Sequence, residues 1–211
     1  MTERHKIAEA LKKYVPEPFV DYVTELLFSE PVHFRVSKPR KTKHGDYRSP
    51  VNNKPHRITV NGDLNPYAFL ITTIHEFAHM KTFIDHGNGV RAHGKEWKAA
   101  YRELLLPLLV SDQLPVSIKN ALSLNLDDMR ASSCTDARLY RALKKFDSPE
   151  QKTLLLEQLQ NGAIFRLGKK VFKRGVLRRT RFLCEEMSTG KKYLVSKLAE
   201  VEPLKEVENE Q

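Results

Sequence analysis

The run Ile74-His75-Glu76-Phe77-Ala78-His79 constrains this chain more than any other stretch. Two histidines four residues apart on a helix project about 40° apart, one turn removed, so both imidazoles reach one metal ion. Glu76 falls on the neighbouring strip of the helix, where a carboxylate can act as acid and base for hydrolysis at that metal. The flanks frame a long helix. Asn65-Pro66 reads as an N-cap followed by proline at the first helical position, and Gly87 as the stop. The helix is expected from Pro66 to Asp85 or His86. Leu70, Ile71, Ile74, Phe77, Ala78 and Lys81 share one arc, which should face the core. His75 and His79 lie at its edge, and Glu76 lies beyond them, toward an opening.

A catalytic zinc site usually takes three protein ligands. His86 ends the same helix, two turns past His79, and its side chain swings back poorly. His93 follows a glycine-broken loop that can double back, fourteen residues past His79. Glu96 and Glu103, on the helix that Trp97, Tyr101, Leu104, Leu105 and Leu108 predict, are the runners-up. The position of His93 at the opening of that helix favours it. His33, His44 and His56 are spare candidates, read as structural or solvated.

The bulk properties bound the rest. The chain has 211 residues, 40% hydrophobic and 29% charged, enough for one compact domain plus a smaller one. Its formal net charge of +10 favours polyanionic partners such as DNA or RNA. Two cysteines, Cys134 and Cys184, form no Cys-x-x-Cys pair, so a disulfide framework is not expected and a reducing cytoplasm is. Residues 1–30 carry charges throughout, unlike a signal peptide, and no run approaches a membrane span. The pattern leaves the oligomeric state open.

In chain order, residues 3–14 predict a short helix, and a second starts at Pro18. Residues 32–36 and 57–60 alternate as strands, with a hairpin around residues 44–48 between them. A small antiparallel sheet should therefore lie against the metal helix. Pro107 kinks or ends the helix after His93. Residues 114–126, 136–146 and 149–160 read as short helices, the last with a Ser148-Pro149 start and an Asn161-Gly162 stop. From Ala163 the pattern turns to strands at residues 164–167, 170–172, 180–184 and 193–195, with Gly168, Gly175 and Gly190 marking turns.

The pairing of His75-Glu76-x-x-His79 with His93-Gly94-Lys95-Glu96-Trp97 resembles the SprT-like family of zinc metallopeptidases, which includes the DNA-dependent protease Spartan. Arg57-Ile58-Thr59-Val60-Asn61 is similar to the family's strand leading into the metal helix. The resemblance implies an α+β fold: a zincin-like domain over residues 1–112, with a small antiparallel sheet on the active-site helix. A helical connector at 113–160, a basic β-rich module at 161–204 and an acidic, frayed tail at 205–211 complete the organisation. It also implies one Zn2+ on His75, His79 and His93, with Glu76 as the catalytic acid/base on a protein substrate. The four-cysteine zinc ribbon of many members has no counterpart here, and the two cysteines read as small buried hydrophobes.

In the β-rich module Lys169, Lys170, Lys173, Arg174, Arg178, Arg179 and Arg181 crowd together, interleaved with Phe165, Phe172, Phe182 and Tyr193. The cations suit nucleic-acid phosphates. The aromatics suit either base stacking or a core. The expected function is a zinc-dependent endopeptidase acting on proteins at nucleic acid. The alternative is a non-catalytic zinc-containing nucleic-acid-binding protein.

Overall fold

The computed structural model describes residues 1–40, 43–52, 54–127, 136–149 and 153–204. The chain forms two compact units, Met1–Ser148 and Pro149–Gln211.

The first unit opens with helices α1 (Glu3–Leu11) and α2 (Val20–Ser29), joined through a 3-10 turn at Glu17–Phe19. Strands β1 (Val32–Ser37), β2 (Gly45–Arg48) and β3 (His56–Asn61) follow, then helix α3 (Pro66–His86) and helix α4 (Lys95–Val110). Helices α5 (Val116–Asp127) and α6 (Ala137–Lys144) close the unit. The sheet has the order β1-β3-β2. It is mixed rather than antiparallel: β1 runs parallel to β3, and β2 antiparallel to it. The reason is placement. The second strand, β2, takes the far edge, and β3, the third in sequence, takes the centre between β1 and β2. The predicted hairpin at residues 44–48 is thus one straight edge strand, and its turn lies later.

Alternation gives each strand a core face and a solvent face. Val32, Phe34 and Val36 of β1 and Ile58 and Val60 of β3 pack toward α3, while His33, Arg35 and Arg57 are exposed. Helix α3 starts as predicted. The Asn65 side chain accepts the Ala68 N–H at 2.9 Å, Pro66 sits in the first turn, and Gly87 ends the helix at φ 65°. Asn65 Nδ2 also donates to the Leu143 carbonyl (3.0 Å) and Asp147 (2.6 Å), tying the helix start to the end of α6.

The single buried arc expected for α3 is too narrow. Thr72, Thr73, His75, Glu76, Met80 and Thr82 are buried as well, because β2 and β3 pack on one side of the helix and α4 on another. A helix enclosed all round has no solvent stripe to show. Helix α4 runs through Pro107 to Val110 without ending there. Ile118 and Leu122 of α5 and Leu139 and Ala142 of α6 join the same core as Phe69 and Trp97, so these helices build the first unit and are not a spacer.

The second unit is a six-stranded sheet. Its strands are β4 (Leu154–Leu155), β5 (Ile164–Leu167), β6 (Lys170–Arg178), β7 (Arg181–Glu186), β8 (Lys192–Ser196) and β9 (Glu200–Pro203), in the order β4-β9-β5-β6-β7-β8. The helix expected over residues 149–160 is replaced, in its described part, by β4 and a 3-10 turn at Leu156–Gln158. Pairing of Leu154 with Val201 and full burial of Leu156 override the local helix signals. Gly175 lies inside β6 and marks no turn. It sits at a register shift between Arg174 and Leu177, where a Cβ would overlap the Leu183 carbonyl. Cys184 is fully buried. Cys134 and the tail at 205–211 lie outside the described residues.

Candidate metal centre

His75 and His79 project from adjacent turns of α3, as their spacing requires. His93 arrives from the turn after α3, and its backbone is left-handed at φ 57°. Histidine is one of the non-glycine residues that tolerate this region. Gly94 follows as the cap of α4, and a Cβ there would lie 2.8 Å from the Arg91 carbonyl oxygen, so the turn needs glycine. These two residues aim the third imidazole back across the face of α3.

The three Nε2 atoms converge. They lie 3.2 Å apart for His75–His79, 3.0 Å for His79–His93 and 3.2 Å for His75–His93. A tetrahedral site with Zn–N bonds of 2.0–2.1 Å needs ligand atoms about 3.3 Å apart. The donor set therefore fits a zinc-sized ion, and among the described residues it is the group that could hold a metal. Trp97 is the floor of the site. Its ring centroid lies 4.7, 5.3 and 4.6 Å from those of His75, His79 and His93, and it is buried to 2% exposure.

Burial falls from His75 to His79 to His93. Desolvation, with the neighbouring imidazoles adding to it, pulls His75 down to about 3, and desolvation with His93 pulls His79 down to about 4. Desolvation lowers His93 as well. All three are thus neutral near pH 7, the form that binds metal. The sign of the linkage follows. The unfolded chain takes up protons near the ordinary value of about 6.5, and the folded metal-free protein resists them. Metal-free protein should therefore lose thermal stability as pH falls from about 6.5 toward 4, measured by melting after chelation. A flat profile over that range would contradict neutral burial.

Glu76 does not face an opening. It is 6% exposed beneath β2, and a Cβ on Gly45 would overlap its carboxylate and meet its Cγ at 2.8 Å. Burial, then the charge of Asp46, raises its pKa to about 8, against a backbone hydrogen bond from Tyr47 that favours the carboxylate. Tyr47 also stands beside the site. Its ring lies parallel to His79 with centroids 6.3 Å apart, and its hydroxyl hydrogen-bonds His56 Nδ1 at 2.9 Å. The roles of Gly45 and Tyr47 had no sequence signal, because they act through strand pairing across residues far apart in the chain.

The other candidates fall elsewhere. Glu103 pairs with Lys81 at 3.4 Å and Glu96 approaches Lys95 at 3.8 Å. His56 is engaged by Tyr47, and His33 lies on the solvent face of the sheet. Of the seven basic residues singled out in the second unit, six are exposed. Arg174 is half-buried, with its guanidinium 3.8 Å over the Phe182 ring, and Lys170 pairs with Glu186 at 2.9 Å. Phe165, Phe172 and Phe182 are core residues, which leaves Tyr193 as the one exposed aromatic of the four.

Among the described residues no helix is long and apolar enough to cross a membrane. No curated protein and no solved structure matches the chain. A family model for the SprT-like family matches residues 17–120, a span that contains the mixed sheet, α3, the turn carrying His93 and all of α4. Residues 17–120 therefore form a SprT-like family domain.

Proposed function

We propose that this protein is a zinc-dependent endopeptidase of the cytoplasm that acts on proteins bound to nucleic acid, with Glu76 as its acid/base. The convergence of three neutral imidazoles on one point, with a buried carboxyl on the helix that carries two of them, carries this reading. SprT-like proteins are associated with zinc metallopeptidase activity, which agrees with the donor set. His75, His79 and His93 would hold the ion. Zinc, when bound, supplies a Lewis acid that polarises a peptide carbonyl and activates water.

The rest of the chemistry belongs to the chain. In the metal-free chain burial and Asp46 raise Glu76 to about 8. A bound dication would favour its carboxylate, which would then take a proton from the attacking water and return it to the leaving amine. The Tyr47 N–H and the close roof at Gly45 hold its carboxylate in one place. Gly45→Ala should displace that carboxylate and lower turnover about 10²-fold while metal content stays unchanged. Full activity in that variant would remove the positioning role.

Exposed Lys169, Lys173, Arg178, Arg179 and Arg181 support phosphate contacts from the second unit, with little base stacking. The deciding experiment measures bound metal together with cleavage of an unfolded protein and a DNA-binding protein, with and without DNA. Stoichiometric zinc with cleavage supports the proposal. Zinc without cleavage under every condition favours a non-catalytic zinc protein.

A further inference from the structure

The solvent face of the β1–β3–β2 sheet carries a concentration of positive charge that the metal centre does not use. Residues 32–61 contain eight lysines and arginines and one acidic residue, Asp46. Strand register puts His33, Arg57 and Arg48 in a single row across all three strands, with Arg57 in the middle. Neighbouring strands are about 4.8 Å apart, so these side chains stand close together on one face. Like charges placed directly opposite destabilise a sheet. Arg48 is partly neutralised by Asp46 at 3.0 Å, but Asp46 is shared with Lys43 at 2.6 Å. No ion pair is formed by Arg57, Arg35 or Lys54 among the described residues.

The row opens into a groove of about 540 Å³ that His33, Arg48, Lys54 and Arg57 line, with Val51 and Pro55 as part of its wall. Beyond the groove the charge continues. Arg35 is exposed one step further along β1, and Arg40 lies across Thr59 and Asn61 of β3, bonding them at 3.1 and 2.8 Å. The surface is therefore an extended cationic stripe, not a pocket for one anion. No Phe, Tyr or Trp side chain lines the groove.

We propose that this sheet face binds the sugar–phosphate backbone of nucleic acid, seated in the groove where His33, Arg48, Lys54 and Arg57 meet. A polymer with a negative charge every few ångströms matches a stripe of cations at strand spacing, and the absence of Phe, Tyr and Trp makes the contact one of phosphates and not of bases. The proposal rests on the nucleic-acid side of the function proposed above. It places a contact in the unit that carries the metal centre, independent of the β-rich unit.

The test uses the full chain and labelled duplex DNA, with affinity measured by anisotropy across about 50–200 mM salt. Arg48→Ala combined with Arg57→Ala should weaken binding at least about tenfold and flatten the log–log salt slope by about 2. Metal content and melting temperature serve as the fold control. Lys173→Ala, Arg178→Ala and Arg181→Ala together form the comparison in the second unit. If only that second variant loses affinity and slope, the sheet proposal is overturned and the broader reading stands. If the wild type does not bind DNA, both fall. If a polyglutamate peptide displaces DNA at equal charge concentration, the groove takes acidic protein segments and the nucleic-acid assignment is wrong.

Discussion

Glu76→Gln should abolish peptide cleavage, lowering kcat/KM by about 10³-fold, while the protein keeps its metal and its fold. General acid–base groups contribute about 10²–10⁴-fold, and a buried amide can neither accept nor deliver the proton. The substitution is nearly isosteric, so the tight fit beneath Gly45 survives. It also removes a carboxyl that burial disfavours in its charged form, so the melting temperature should stay level or rise. The measurement pairs steady-state cleavage of a peptide substrate with metal analysis of the same sample. Retained cleavage would show that another group moves the proton. Lost cleavage with lost metal would show that the glutamine disturbed the centre instead.

His93→Ala should strip the metal. Changes to groups that only orient metal ligands cost about 10–100-fold in affinity, so losing a ligand should cost more than about 10². Alanine has a second handicap here, because residue 93 has φ 57°. His93→Asn separates the two effects. Asparagine adopts the left-handed region readily but lacks the imidazole that meets His75 and His79 within 3.2 Å. Both variants should lose metal in a competition titration, and only the alanine variant should also lose stability in the metal-free state. Stoichiometric binding by His93→Asn would mean that the third ligand comes from elsewhere.

Much of the candidate centre was legible in the chain. The helical period fixes the relation of His75 to His79. The caps at Asn65 and Gly87 give the length of the helix, and the glycine-broken loop brings His93 within reach. These are local signals, each spanning a few turns at most. The orientation of Glu76 was not legible. A helical wheel places it beyond the core arc, but β2 lies over that strip and buries it. The parallel pairing of β1 with β3 was likewise hidden, because alternation marks a strand without giving its direction. The helix signals at Ser148–Pro149 failed for a related reason: Leu154–Leu156 gain more from pairing with β9 and entering a core than from an isolated turn of helix.

The amino-acid order by itself determined the histidine spacing, the long helix that carries it, the SprT-like domain and the segregation of charge. Those follow from spacing and side-chain chemistry, which need no partner to be read. Only the tertiary structure decided that Glu76 sits under Gly45, that Trp97 supports all three imidazoles, and that His33, Arg48 and Arg57 share one row. Each of these depends on which residues far apart in the chain are brought face to face. That is settled by strand register and helix packing, which minimise exposed apolar surface over the whole unit and not over any one segment.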